Sequence, residues 1–158
     1  MSVLGILLIL GAALATSRGY KRFMRQRLSE LASFVDFVRF LEERIEGYLE
    51  PLSVAAGKYK GELGAGLLRL MREGKKPNDA YLEVRGNLTL CPRADTVLLS
   101  LFETLGEGRV ERELRHIRGA LCELDGIYSE QRETTERSLQ IAGALILAGA
   151  LGLCILII

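Results

Sequence analysis

The chain has 158 residues, 49% of them apolar, with 21 Lys and Arg against 20 Asp and Glu for a formal charge of +1. A single histidine excludes a two-histidine metal site within one chain, and three cysteines without a C-x-x-C pair exclude an even-numbered disulfide framework. Every charged side chain lies between Arg18 and Arg137, so a water-compatible segment is flanked by two uncharged, apolar ends.

The first end, SVLGILLILGAALATS, covers sixteen residues, about 24 Å of helix at ~1.5 Å per residue. Gly19 and Tyr20 extend it into an interfacial layer and Arg18 can snorkel to headgroups, which predicts a membrane anchor over residues 1–20. Ala13, Leu14 and Ala15 form an A-x-A cleavage pattern, but no Lys or Arg precedes the apolar run, as a secretory signal requires. The cations come afterwards, as Arg18, Lys21, Arg22, Arg25 and Arg27. They predict that the segment following the anchor is cytoplasmic and both termini are outside, with contact to anionic lipid as a secondary use.

From Leu28 onward, Leu31, Val35, Val38, Leu41, Ile45 and Leu49 recur at threes and fours, widened by Phe34 and Phe37, the pattern of a long helix with one buried face. Pro51 is expected to end or bend it. Residues 55–81 are punctuated by Gly57, Gly61, Gly64, Gly66, Gly74 and Pro77, with a short helix on Leu63, Leu67, Leu70 and Met71. CPRADTVLLSLFETLGEG predicts a further helix with Pro92 in its first turn, Asp95 at its positive end and Gly106 or Gly108 as its stop. Val110, Leu114, Ile117, Leu121, Leu124 and Tyr128 follow a 4-3-4-3-4 spacing, a seam that turns polar at Gln131 and Thr135. The first long helix leaves the anchor and the last returns towards the other apolar end, so the two should run antiparallel, with short helices covering the outside. An all-α antiparallel bundle over 21–137 follows.

Ile141 to Ile158 carries no strongly polar side chain. With Leu139 and Gln140 it reaches the ~20 residues that span a bilayer, which predicts a transmembrane helix over 138–158. Ala144, Ala148 and Gly152 fall four apart on one face, as do Gly11, Ala15 and Gly19 in the first anchor, and small residues at that spacing suit close helix packing in lipid.

Candidate chemistry is sparse. His116 sits between Arg115 and Arg118 on a helix and reads as an exposed side chain. Glu42, Glu43, Glu46 and Glu50 form an acidic helix side better explained by basic neighbours than by a cation. Lys58 follows Gly57, but Tyr59 and Leu52 stand where a phosphate loop needs Ser or Thr and its first Gly. Asn87, Leu88 and Thr89 form a sequon within the segment expected to be cytoplasmic. Cys91, Cys122 and Cys154 read as free thiols in a reducing compartment. No catalytic residue, metal, cofactor or nucleic-acid partner is expected.

The order of anchors, helices and short motifs resembles the stage III sporulation protein AB family of endospore-forming bacteria over nearly the whole chain. Leu4, Gly5, Leu8 and Ile9 correspond to an L-G-x-x-L-I anchor motif, and Gly19 to Arg27 to its Gly-Tyr and basic cluster. RIEGYLEPL is similar to E-I-x-Y-G-x-x-P-L, with Ile45, Pro51 and Leu52 in register and Tyr48 displaced by one. FETLG is similar to G-x-x-L-G through Leu105 and Gly106, with Phe102 where the family has Gly. The resemblance implies a component of the mother-cell membrane complex that joins mother cell to forespore, whose soluble part is similar to the cytoplasmic helical domain of type II secretion F proteins. Its partners would then be membrane lipids, other membrane proteins of the complex and a separate cytoplasmic secretion-type ATPase. The alternative from another class is a membrane-tethered signalling or regulatory adaptor that recruits a soluble protein.

Overall fold

The computed structural model describes residues 2–48, 52–64, 66–106 and 110–157, and every regular element among them is an α-helix. Two are long, α1 (Ser2–Tyr48) and α6 (Val110–Ile157), and between them lie α2 (Leu52–Lys58), α3 (Leu67–Arg72), α4 (Pro77–Arg85) and α5 (Pro92–Thr104). The chain divides into two compact units: a terminal unit of residues 1–26 with 131–158, and a central unit of residues 27–130.

In the central unit the α1 stripe is buried at Leu31, Phe34, Val35, Phe37, Val38, Leu41 and Ile45. Phe34 and Phe37 make that face wider than a two-helix seam because the intervening helices pack on it rather than merely shielding the outside. Tyr81 of α4 stacks on Phe102 of α5 with ring centroids 4.9 Å apart and meets Phe34 edge-on at 6.1 Å. Phe37 meets Tyr59 edge-on at 5.2 Å. Each large apolar side chain closed off this way stabilises the fold by about 1.5–3 kcal/mol.

Pro77, which as punctuation suggested a break, is the first residue of α4, where its missing N–H costs nothing and its fixed φ suits the helix. Pro92 plays the same part in α5, preceded by Cys91, whose Sγ accepts the Ala94 N–H at 3.3 Å as an N-cap. At the other end of α5 the C-cap is Leu105, followed by Gly106 at φ +90°, a left-handed turn that glycine adopts without a Cβ penalty. α1 is described to Tyr48, and Pro51 and Gly108 lie outside the described residues.

In the terminal unit Gly11, Ala15, Gly19, Ala144, Ala148 and Gly152 are all exposed. A Cβ built on Gly11, Gly19 or Gly152 would meet nothing within 4 Å. Among the described residues no helix is long and apolar enough to cross a membrane. The stretches expected to do so, 1–20 and 138–158, lie partly outside the residues whose side chains are described.

Candidate functional site

The meeting of α1 and α6 in the central unit is the candidate site, because it carries the two apolar stripes together with a band of cross-helix ion pairs. Of the seam positions on α6, Ile117 and Leu124 are buried, Leu114, Leu121 and Tyr128 are half-buried, and Val110 is exposed. Ile127, off the 4-3 seam, is buried as well. A seam fits a contact with one helix only, whereas Arg93 of α5 also reaches Glu130 of α6 at 3.3 Å, so α6 has a second neighbour and a wider buried face.

The ion pairs fix direction. Arg39 Nη2 donates to both carboxylate oxygens of Asp125 at 3.1 and 3.2 Å, and Arg118 donates through Nε to Glu42 at 2.8 Å and through Nη2 to Glu46 at 2.6 Å. Moving up α1 from Arg39 to Glu46 means moving down α6 from Asp125 to Arg118, so the helices are antiparallel. Hydrogen bonding to Glu46, then to Glu42, holds the Arg118 guanidinium above its usual range and fully charged. Glu42 and Glu46 of the acidic side are thus matched to a basic neighbour, whereas Glu43 is exposed and Glu50 lies outside the described residues.

A second polar cluster ties α4 to α5. The buried Tyr81 hydroxyl donates to Asp95 Oδ1 at 2.7 Å, and Arg85 Nε lies 2.8 Å from both oxygens of the same carboxylate, with a further bond from Nη2. Burial, then the hydrogen bond to Asp95, pushes the Tyr81 phenol well above its usual range. Thr89 donates both its N–H and its hydroxyl to Glu30 Oε2, at 2.6 and 2.8 Å, so the sequon threonine fastens the α4–α5 loop to α1.

Among the family-motif positions Ile45 and Leu105 are core residues. Gly106 supplies the turn whose N–H donates to Glu113 at 3.1 Å. Tyr48 is exposed, with the Arg44 guanidinium 5.0 Å from its ring and 5.3 Å from that of Phe40. Leu52 opens α2, its side chain outside the described residues.

His116 is exposed, Cys91 is buried and Cys122 is exposed. Among the described residues no group of three or more His, Cys, Asp or Glu could hold a metal ion. A cleft of about 380 Å³ opens where the first turn of α4 meets the end of α5; its ionisable side chains are Lys76, Asp79 and Glu103. Arg18, Lys21, Arg22 and Arg25 are exposed, and Arg27 is half-buried with its Nε lacking a hydrogen-bond partner.

Sequence reasoning missed the Tyr81–Asp95–Arg85 cluster, Arg118 and the Glu30–Thr89 tie. Each joins residues from different helices or loops; only the Asp95 placement in a first turn was visible locally.

The fold and site define an all-helical protein built on an antiparallel pair of long helices, with a satisfied polar band around an aromatic core. The family model of stage III sporulation protein AB matches residues 2–158, and the chain belongs to that family. Its role therefore lies in sporulation. A solved structure titled "Stage III sporulation protein AB (SpoIIIAB)" is similar at 18% identity and a TM-score of 0.58, over 70% of this chain and 97% of that one, a likeness of fold. No curated protein matches.

Proposed function

We propose that the chain is a non-enzymatic scaffold held in the mother-cell membrane by both apolar ends. Its central domain faces the cytoplasm, within a secretion-like complex that links mother cell and forespore. The observation that carries this reading is the contrast between an aromatic core sealed within residues 27–130 and small-residue faces, Gly11 to Gly19 and Ala144 to Gly152, left uncovered. Uncovered small faces on apolar helices suit lipid or the spans of other membrane proteins. The candidate site offers ion pairs and packing rather than a nucleophile beside a base, so assembly that consumes energy would draw on a separate cytoplasmic secretion-type ATPase. Reporter fusions after Gly74 and after Ile158 test the topology: the first should read cytoplasmic and the second external. A cytoplasmic signal from the second overturns the double anchor.

A further inference from the structure

We infer that Arg18, Lys21, Arg22 and Arg25 of α1 form a binding site for anionic phospholipid headgroups, an inference that rests on the anchored reading above. At about 100° per residue these positions, i, i+3, i+4 and i+7, fall within one arc of about 100° and along about 10 Å of helix. All four side chains are exposed. None has an ion-pair partner among the described residues.

Among the described residues no carboxylate of the terminal unit pairs with the arc. No Asp or Glu precedes Glu30, which already accepts from Thr89 in the central unit. On α6 the charges of 131–137 are spent on each other, Arg132 with Glu136 and Arg137 with Glu133. Four cations within residues 1–26, with two charges of each sign within 131–158, leave the terminal unit at +4. The chain total of +1 then puts the central unit at −3. A chain of nearly balanced composition has therefore segregated its positive charge beside the uncharged stretch 1–17, where anionic headgroups would sit if that stretch is in a bilayer. Each Lys or Arg near an anionic leaflet strengthens attraction about fivefold, and the complementary ligand is a phosphodiester surface.

The test reconstitutes the full chain from detergent into vesicles of equimolar phosphatidylcholine and phosphatidylglycerol, re-extracts it mildly and assays the lipid that stays bound. Phosphatidylglycerol should be enriched about threefold or more, and the enrichment should vanish near 1 M salt, where the screening length falls to about 3 Å. Lys21→Gln with Arg22→Gln and Arg25→Gln should abolish it, and Arg112→Gln with Arg115→Gln, equally exposed cations of the central unit, should preserve it. Equal retention of the two lipids by the native chain, which an acidic protein partner for this arc would give, overturns the proposal. So does enrichment that survives the triple substitution. Extraction of the protein from the vesicles by alkaline carbonate is the separate result that would sink the anchored reading itself.

Discussion

In the central unit Phe34, Phe37, Tyr81 and Phe102 are closed off from solvent, whereas in the terminal unit Leu14, Ile141 and Leu145 keep 56%, 60% and 67% of their surface exposed. Both regions are helical and rich in apolar residues, so apolar content does not separate them. What separates them is charge, side-chain size and order. The central stripe alternates Leu, Val and Phe with charged residues, which gives a helix one face to bury and one to leave in water. The ends place Gly and Ala at spacings of four among aliphatic residues, which leaves shallow faces for other helices or acyl chains.

The comparison is sharpest at Ile117, fully buried on α6. Ile117→Asp puts an unpaired carboxylate into the core, at a cost of several kcal/mol, and should unfold the central unit. Circular dichroism of the detergent-solubilised chain should lose part of its helical signal while the terminal helices keep theirs. Complete loss would mean the two units fold as one, and an unchanged melt would mean the seam is a surface.

A middle-sized effect should come from Tyr81. Its phenol is held neutral in the fold, so the stability this supplies is fully present below the unfolded value of about 10 and falls as pH rises towards the folded one, by about 1.4 kcal/mol per pH unit. Tyr59, shifted up by burial and then by Asp36, adds to the same slope. Denaturant unfolding above pH 10 should therefore be less pH-dependent in Tyr81→Phe than in the native chain. Equal slopes would remove Tyr81 from the alkaline transition.

The smallest effect on folding is expected in the terminal unit. Ala148→Ile with Gly152→Ile fills an exposed face, so the central unit's melt should stay within about 0.5 kcal/mol, while crosslinking to membrane partners in sporulating cells should fall. A lowered melt would break the distinction between the units, and unaltered crosslinking would leave the face without a partner.

The helical stripe of α1 was legible because its signal is local: Leu31, Val35, Val38, Leu41 and Ile45 declare themselves by spacing, and all are buried. Pro77 was ambiguous because the same residue both stops helices and starts them, and only the following turn decides. Ile127 escaped because a strict seam assumes one neighbour. The Tyr81–Asp95–Arg85 cluster escaped because a carboxylate that favours a helix start by its charge gives no local sign of which phenol and guanidinium will reach it.

The partners that close the central unit also set a schedule for its synthesis. Arg39 finds Asp125 eighty-six residues later, and Glu42 finds Arg118 after seventy-six. At roughly 5–20 residues per second a ribosome needs on the order of ten seconds to bridge that gap. During that interval the α1 face at Phe34, Phe37 and Leu41 has emerged without the helix that completes its cover. Substitutions on α6 that slow docking would then lower the yield of assembled protein in the cell even where the purified chain melts normally.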